Sequence, residues 1–401
     1  MGERSSRWVP RACVAMGIVA VLGLTACSTG NDPADASGGG TTSSETPEQQ
    51  AAPKPPAKVT LAPASGATDV SPVAPVRVTV ADGTIEALTL TNPAGKKVAG
   101  RLSADKTSWT VGEPLGYGKT YTWSGTAKGT DGETAPISGS FTTVTPAGTV
   151  DASLNVGDGK TYGVAMPIVV RFDSPVTDKA AVQKAMTVTT SVPTEGAWAW
   201  LDDRSAHWRP KTYWAPGTQV NLDAKLYGLS FGDGVYGAED RTAHFTIGRA
   251  QIVKANTQTH RLVVIRDGKQ VADFPASYGL EEDPGRVTNS GTHVVMSKHE
   301  SYAMTNPKYD YENVVVPWAV RISNNGEFIH GYAPSMWAQG KQNVSHGCAN
   351  LAPANAKIYF DSAMTGDPVE ITGSTQQLGP EDGDYYDWAL TWDQWLGKSA
   401  V

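Results

Sequence analysis

Ser345-His346-Gly347-Cys348-Ala349-Asn350 is the stretch from which the rest of the chain can be interpreted, together with Phe328-Ile329-His330-Gly331-Tyr332 upstream. A thiol is a strong nucleophile only as the thiolate, and a neighbouring imidazole is the usual group that takes its proton. A glycine before the cysteine lets the backbone approach a bound group and point N–H groups at an oxyanion. The stretch therefore predicts that Cys348 is a nucleophile and that the backbone at Gly347 helps to stabilise the oxyanion.

Two histidines are candidates for the base that activates Cys348. His346 lies two residues before the cysteine, so both side chains lie on one face if the chain is extended. His330 lies at the end of a predicted strand, where a side chain is held rigidly. The spacing alone does not decide between the two histidines.

The order His-Gly, a spacer, then Ser-His-Gly-Cys-x-Asn resembles the signature of the L,D-transpeptidases, which cross-link bacterial peptidoglycan. The resemblance covers residues 250–372 well and the flanking domains more loosely. It implies that His330 is the base, that His346 supports the site, and that the backbone carbonyl of Ser345 fixes the tautomer of the base.

The resemblance also implies a reaction. Cys348 attacks the carbonyl before a terminal D-alanine of a tetrapeptide stem, while the N–H groups of Gly347 and Cys348, with that of His346 as a further candidate, hold the oxyanion. His330 protonates the leaving amine, and an amine of a second stem then attacks the thioester to give a 3→3 cross-link. No cofactor and no metal are needed, because the thioester conserves the energy of the broken peptide bond. Carbapenem-type β-lactams are the covalent inhibitors that the family implies.

Several residues near the nucleophile are expected to contact the stem. Asn325 and Gly326 lie in the turn before His330, and Tyr332 and Trp337 lie between base and nucleophile along the chain. Asn350 is expected either to contact the stem or to cap a helix predicted over residues 353–360. Apolar and aromatic side chains upstream suit the methylene arm of a stem or, equally, core packing: Met296, Tyr302, Met304, Tyr309 and Tyr311.

Residues 285–309 correspond to a lid over the cleft in the family. This chain has Asn289-Ser290-Gly291 where relatives commonly have a proline before the glycine. The difference concerns the shape of the lid and leaves the nucleophile unaffected.

The length of 401 residues predicts two to four domains. Abundant glycine and proline, 42 and 26 residues, favour β-rich domains with many turns. The formal charge is −7, and loss of residues 1–26, which carry a net +2, leaves about −9. We expect no nucleic-acid partner, because an acidic chain without a basic cluster is a poor ligand for phosphate backbones.

The N-terminal residues 1–26 are typical of an export signal, with three arginines before a short apolar run. Leu24-Thr25-Ala26-Cys27 resembles the lipobox of bacterial lipoproteins. The resemblance implies lipidation of Cys27 and anchoring to the outer face of the cytoplasmic membrane, facing the cell wall. An ordinary secretory signal is the alternative. Residues 27–58 are rich in Gly, Ser, Thr and Pro and are predicted to form a disordered tether.

The remaining chain is predicted to be mainly β. Period-two runs over residues 59–147 indicate an immunoglobulin-like β-sandwich, and residues 148–249 repeat it. In this repeat Ser108-Trp109 corresponds to His207-Trp208, and both tryptophans are predicted core anchors. We expect His207 and His244 to be ordinary surface or half-buried histidines. Residues 232–240, which are rich in Asp and Gly, predict a hairpin turn or, less favoured, a calcium site.

Residues 250–373 are predicted to form the β-rich L,D-transpeptidase catalytic domain. It begins with a hairpin at Asp267-Gly268, because Asp-Gly between apolar runs is a strong turn signal. Residues 374–401 form an aromatic extension, predicted to pack on a domain face or, less favoured, to bind sugar.

Other functions fit the sequence less well. A papain-like protease has its cysteine before its histidine, the opposite of the order here. A zinc site of His330, His346 and Cys348 is one ligand short. An L,D-carboxypeptidase uses the same residues with water as acceptor, and an inactive wall-binding lipoprotein is a further alternative.

Overall fold

The structure, a computed structural model, describes residues 53–380, 383 and 385–401. The predicted signal peptide, the lipidation residue Cys27 and most of the predicted tether lie outside these residues. None of the helices in this part of the chain is long and apolar enough to cross a membrane.

The first β-sandwich forms because alternate apolar side chains of its strands turn to one face, as Val78 and Val80 do. Its strands are β1 (Lys58–Ala62), β2 (Arg77–Ala81), β3 (Gly83–Thr91), β4 (Gly100–Leu102), β5 (Ser108–Val111), β6 (Thr120–Gly129) and β7 (Thr134–Thr142). One sheet has the order β1-β2-β5-β4 and the other β3-β6-β7. The rings of Trp109 and Trp123 meet edge to face in the core, 5.4 Å apart, which confirms the predicted packing role of Trp109.

The second β-sandwich repeats this arrangement with more strands. They are β8 (Gly148–Val150), β9 (Ala152–Leu154), β10 (Thr161–Tyr162), β11 (Ile168–Phe172), β12 (Met186–Thr190), β13 (Gly196–Trp200), β14 (Ser205–Pro210), β15 (Gln219–Ala224), β16 (Ser230–Gly232), β17 (Val235–Gly237) and β18 (Arg241–Ile247), with helix α1 (Lys179–Lys184). Two four-stranded sheets, β10-β18-β15-β12 and β13-β14-β11-β9, enclose the core, where Trp208 stacks on Trp214. Asp233 lies in the turn between β16 and β17, as the favoured hairpin prediction required.

The third domain is a nine-stranded sheet in the order β22-β27-β19-β20-β21-β26-β25-β24-β23. These strands are β19 (Gln251–Asn256), β20 (Arg261–Arg266), β21 (Lys269–Ser277), β22 (Gly291–Val294), β23 (Ser297–Asn306), β24 (Tyr311–Arg321), β25 (Phe328–Gly331), β26 (Ala349–Leu351) and β27 (Pro368–Thr372). Helix α2 (Pro353–Ser362) packs on β24 and β25. Asp267 and Gly268 both have positive φ in the β20–β21 turn, as the Asp-Gly signal predicts. The mainly β fold with two sandwiches before this domain is confirmed.

The aromatic extension runs back over the second sandwich and ends in helix α3 (Trp392–Leu396). The guanidinium of Arg209 lies 4.6 Å from the ring centres of both Trp388 and Trp395. Trp395 Nε1 donates to Ala197 O of β13 at 2.9 Å. The extension therefore packs on a domain face, the favoured of the two predictions.

His207 corrects a prediction. It is 1% exposed rather than at or near the surface. Its Nδ1 lies 2.8 Å from Asp387 Oδ1 of the extension, and its Nε2 lies 3.0 Å from Ser205 Oγ. Burial is tolerated because both ring nitrogens have polar partners.

Candidate active site

Two adjacent parallel strands bring the predicted base and nucleophile together. β25 carries His330, β26 follows Cys348 directly, and His330 lies opposite Asn350 in their register. His330 and Cys348 both line a cavity of about 240 Å³. The other residues of this cleft are Met304, Tyr311, Val314, Val316, Tyr332, Ser335, Val344, Ser345, His346 and Asn350.

Residues 344–348 form a loop that carries the predicted nucleophile and is called the nucleophile loop below. It is held by side chains that the sequence patterns did not single out. Arg286 donates from Nη2 to Val344 O at 2.6 Å and from Nε to Ser345 O at 3.1 Å. Thr288 Oγ1 donates to Gly347 O at 2.7 Å. Each of these bonds ends on a backbone carbonyl, so the loop conformation is fixed before any substrate binds.

Gly347 has φ +113°, a conformation that side-chain-bearing residues rarely adopt. This turn breaks the extended conformation that would place His346 and Cys348 on one face. Gly347 N–H donates to Ser345 Oγ at 3.2 Å, and Ser345 Oγ donates to Cys348 O at 2.6 Å. The serine hydroxyl therefore closes the loop on itself.

Burial determines the charge state of the two central residues. It raises the pKa of the Cys348 thiol to about 12, with the nearby Glu327 adding to the effect and a Phe328 N–H and Arg321 opposing it. Burial lowers the pKa of His330 to about 4, against a smaller opposing effect of the Gly331 carbonyl. At neutral pH the site therefore holds a neutral thiol and a neutral imidazole.

The tautomer of His330 follows from its neighbour. Nδ1 lies 3.1 Å from Gly331 O, and a carbonyl oxygen only accepts, so Nδ1 carries the proton and Nε2 is the basic nitrogen. We expected the carbonyl of Ser345 to fix the tautomer of His330, and in the structure the carbonyl of Gly331 lies beside Nδ1 instead. Ser345 O instead accepts from Arg286 Nε and from Leu280 N–H.

His346 is exposed and lies against two aromatic rings rather than beside the base. Its ring centre is 5.0 Å from that of Tyr309 and 5.2 Å from that of Tyr311. Its pKa is lowered, first by partial burial and then by the positive charge of Arg286. His346 lines the entrance of the cleft, and its supporting role stays a prediction.

Four of the predicted stem contacts lie at the cleft or next to it. Tyr311, Tyr332 and Asn350 line it, and Gly326 O accepts from Cys348 Sγ–H at 3.7 Å. Asn350 is 4% exposed, and its Nδ2 donates to Ser335 Oγ at 3.3 Å. The alternative that Asn350 caps a helix is wrong, because α2 begins after Ala352 without a side-chain cap.

The other three predicted contacts lie outside the lining of the cleft. Met296 is half-buried, and its N–H donates to Arg321 O. Trp337 is 62% exposed to solvent, and Asn325 is exposed in the turn before β25. Proximity along the chain to the base or nucleophile did not bring these side chains into the cleft.

The predicted lid is also arranged differently. Residues 291–294 form β22, which pairs with β27 at the far edge of the sheet. Two parts of the segment reach the cleft: Met304 of β23 lines it, and Tyr309 of the 3-10 turn Pro307–Tyr309 contacts His346. Strand pairing therefore holds residues 291–294 away from the cleft, and the segment contributes to the cleft through the β23–β24 hairpin.

Comparison with known families defines the class of protein. Residues 67–230 match the model of a bacterial Ig domain, and residues 250–371 match that of an L,D-transpeptidase catalytic domain. The second match contains the whole cleft described above.

Two curated relatives match over most of the chain and agree with the two family matches. L,D-transpeptidase 5 of Mycobacterium tuberculosis (strain ATCC 25618 / H37Rv) is 52% identical over 353 residues, 87% of this chain and 78% of that protein. L,D-transpeptidase 2 of Mycobacterium tuberculosis (strain CDC 1551 / Oshkosh) is 37% identical over 86% of this chain and 85% of that protein. A solved structure of an L,D-transpeptidase in complex with imipenem is 33% identical, with a TM-score of 0.48, over 55% of this chain and 98% of that one. The chain belongs to the L,D-transpeptidase family.

Proposed function

We propose that the protein forms 3→3 cross-links in peptidoglycan through a thioester on Cys348. The observation that carries this proposal is the cleft in which Cys348 and the buried, neutral His330 lie together beside a fixed loop. An acyl transfer needs a nucleophile, a base and N–H groups for the oxyanion within one site, and residues of this cleft are candidates for each role.

Acylation begins from the neutral pair. Because the pKa of the thiol is high and that of the imidazole is low, His330 Nε2 takes the proton as Cys348 Sγ attacks the donor carbonyl carbon. The N–H groups of Cys348 and His346 are the proposed oxyanion donors, since that of Gly347 donates to Ser345 Oγ. Collapse of the tetrahedral intermediate breaks the C–N bond, and His330 returns the proton to the leaving D-alanine amine.

Deacylation runs the same steps with a new nucleophile. The side-chain amine of a diaminopimelate on a second stem gives a proton to His330 and attacks the thioester carbon. Collapse of the intermediate breaks the C–S bond, and His330 returns the proton to Cys348 Sγ, which restores the thiol. Water in place of the amine gives the L,D-carboxypeptidase reaction. The acceptor therefore distinguishes the two activities, while the acyl-enzyme is common to both.

The lining of the cleft suits a peptide stem. Asn350 Oδ1 is buried and has no hydrogen-bond partner among the described residues, so it can accept from a stem N–H. Ser335 Oγ holds the other end of this amide. Apolar and aromatic side chains in the lining of the cleft match the methylene arm of diaminopimelate: Met304, Tyr311, Val314 and Val316.

The proposed location follows from the N-terminal sequence. Lipidation of Cys27 would anchor the protein to the outer face of the cytoplasmic membrane, facing the cell wall. Metabolic labelling with a palmitate analogue tests this: wild-type protein should carry the label, and Cys27→Ala should lose it. Labelled Cys27→Ala protein would exclude this anchor.

Intact-protein mass tests the reaction itself. The full chain is incubated with imipenem, as a carbapenem-type β-lactam, and separately with a disaccharide tetrapeptide. We expect a covalent adduct and cross-linked dimer from the wild type and from Cys27→Ala, the thiol control. Cys348→Ala should lose both, at least about a thousandfold in rate. Formation of tripeptide without dimer would indicate the carboxypeptidase. Absence of both adduct and turnover would indicate the inactive wall-binding protein.

A further inference from the structure

The nucleophile loop lies against one segment of the chain, residues 279–288, which is called the backing segment below. Ser345 O accepts from Arg286 Nε at 3.1 Å, and Gly347 O accepts from Thr288 Oγ1 at 2.7 Å. Two carbonyl groups of the loop, separated by one residue, are therefore directed at the same segment.

The buried hydroxyl of Thr288 connects the backing segment to the loop. Thr288 is fully buried, and its Oγ1 accepts from Gly279 N–H at 2.8 Å. An N–H group only donates and a carbonyl oxygen only accepts, so the hydroxyl proton goes to Gly347 O. The direction of this hydrogen bond is thus fixed by the fold.

The backing segment is itself held in place. A side chain on Gly279 would collide with Arg286 O, so glycine is required where the two ends of the segment meet. Directly after the segment, Asn289 N–H donates to Oε1 of the buried Glu327 at 3.0 Å. Since Glu327 lies in the turn before β25, the segment is fixed relative to the strand that carries the proposed base.

The direction of a carbonyl group determines that of the N–H in the same peptide unit. A trans peptide is planar, and its C=O and N–H point in opposite directions. Because the carbonyls of Ser345 and Gly347 bind the backing segment, the N–H groups of His346 and Cys348 point away from it. Neither of these N–H groups donates a hydrogen bond within the part of the chain that the structure describes. Two N–H groups are therefore left to bind another acceptor.

The cleft lies on the side of the loop to which these N–H groups point. His346 and Cys348 both line the cleft, whereas Arg286 and Thr288 contact the loop without belonging to the lining. An oxyanion formed on a carbonyl carbon bound to Cys348 Sγ would therefore lie on the side of the two N–H groups.

We propose that Arg286 and Thr288 are positioning residues: each holds one carbonyl of the nucleophile loop and so directs the N–H of the same peptide unit at the oxyanion. This inference rests on the proposed function, because it concerns the tetrahedral intermediate of that reaction. Arg286 acts in a second way as well. Its positive charge polarises the peptide group that it binds, and a polarised peptide group is a stronger N–H donor.

Two reactions of Cys348 separate this role from a general effect on the thiol. Acylation by imipenem forms an oxyanion, whereas alkylation by iodoacetamide displaces iodide at a saturated carbon and forms none. Mass spectrometry of the full chain and of its Cys348 peptide measures both rates at one fixed pH. The high pKa of the thiol then slows the wild type and the variants alike. Loss of oriented N–H groups should slow the acylation alone.

Thr288→Val keeps the shape of the side chain and removes the hydroxyl. We expect acylation to fall about 10- to 100-fold, while alkylation stays within about twofold of the wild type. Thr288→Ser restores the hydroxyl and should return acylation to within about threefold of the wild type. Arg286→Lys keeps the charge but loses the planar fork that reaches two carbonyls, so acylation should fall about 3- to 10-fold with alkylation unchanged.

Thr143→Val in the first sandwich is the matched control. Thr143 is 1% exposed, accepts from Lys119 N–H at 3.0 Å and donates to Gly116 O at 2.7 Å. The variant thus loses the same kinds of hydrogen bond as Thr288→Val. It should lose stability in chemical denaturation and keep both rates.

Three results would overturn the proposal. They are acylation of Thr288→Val within about twofold of the wild type, an equal fall in its alkylation and acylation, and no recovery in Thr288→Ser. If Thr288→Val does not fold, Arg286→Lys decides by the same comparison of the two rates. A wild-type chain that is alkylated but forms no imipenem adduct would refute the proposed function together with this inference. Wild-type and variant chains that are acylated equally fast would refute this inference alone.

Discussion

His207 and His330 are both buried, yet the protein holds them in different ways. His207, between the second sandwich and the extension, has a polar partner at each ring nitrogen, Asp387 and Ser205. His330, beside the nucleophile, has the carbonyl of Gly331 at Nδ1, and its ring faces the cleft. The first ring joins two parts of the fold, whereas in the proposed reaction the basic nitrogen of the second exchanges a proton with the reacting groups.

The difference shows that burial of a histidine does not by itself indicate its role. The two histidines differ in whether one ring nitrogen remains available to exchange a proton once the other ring contacts are made. Changes at the His330 site should therefore alter rates, and changes at the His207 site should alter stability.

The largest expected effect is on the rate of acylation. His330→Gln removes the basic nitrogen, so acylation of Cys348 by imipenem should fall about 10²- to 10⁴-fold. A time course of adduct mass measures this, with His207→Gln as the control that keeps the wild-type rate. A wild-type rate in His330→Gln and a lost rate in His346→Gln would assign the base to His346 instead.

Next in size is the stability effect at the other histidine. Asp387→Ala leaves His207 buried without its carboxylate, so the free energy of unfolding should fall by about 3–5 kcal/mol. Chemical denaturation at pH 7 measures this. The folded variant should be acylated at the wild-type rate, and a slowed rate would show that the two histidine sites are coupled.

The pH dependence of stability separates the wild type from His330→Gln. The unfolded chain binds a proton at His330 near pH 6.5, but the folded chain does so only near pH 4. Stability is therefore lost as the pH falls through this window, by about 3 kcal/mol. Denaturation at pH 6.5 and at pH 4 measures the loss of unfolding free energy in both proteins. Between these two pH values, His330→Gln should lose about 3 kcal/mol less than the wild type. Equal losses in both proteins would contradict the lowered pKa.

The smallest effect concerns the second partner of His207. Ser205→Ala leaves Nε2 of a buried ring without its hydroxyl partner, at a cost of about 1–3 kcal/mol in unfolding free energy. Thermal unfolding of Ser205→Ala beside Asp387→Ala measures both. A larger effect of the serine than of the aspartate would reverse their order of importance.

Local patterns predicted those parts of the molecule that depend on neighbouring residues. Alternating apolar residues indicated the sandwiches, Asp267-Gly268 indicated a hairpin, and the residues around Cys348 indicated the family. The structure brings Cys348 and His330 to one cleft, as that family pattern implied.

Contacts between distant segments could not be predicted in this way. Asn289 and Glu327 are 38 positions apart in sequence, and His207 and Asp387 are 180 apart. Neither pair has a spacing that marks it, because such pairs form only when the sheets assemble. The contacts of Arg286 and Thr288 with the nucleophile loop were not predicted for the same reason. Their partners are backbone carbonyl oxygens, whose position cannot be inferred from a pattern of side chains. His346 was placed by an extended-chain rule that does not hold across the positive φ of Gly347.

The extension that stacks Trp388 and Trp395 around Arg209 has a consequence for cooperativity. It leaves the catalytic sheet and packs on β13 and β14, so the second sandwich and the catalytic domain share part of one interface. Tyr213 of the sandwich also donates to Glu370 of β27 at 3.0 Å. In a calorimeter these two domains should melt as one transition, although in sequence they are separate modules.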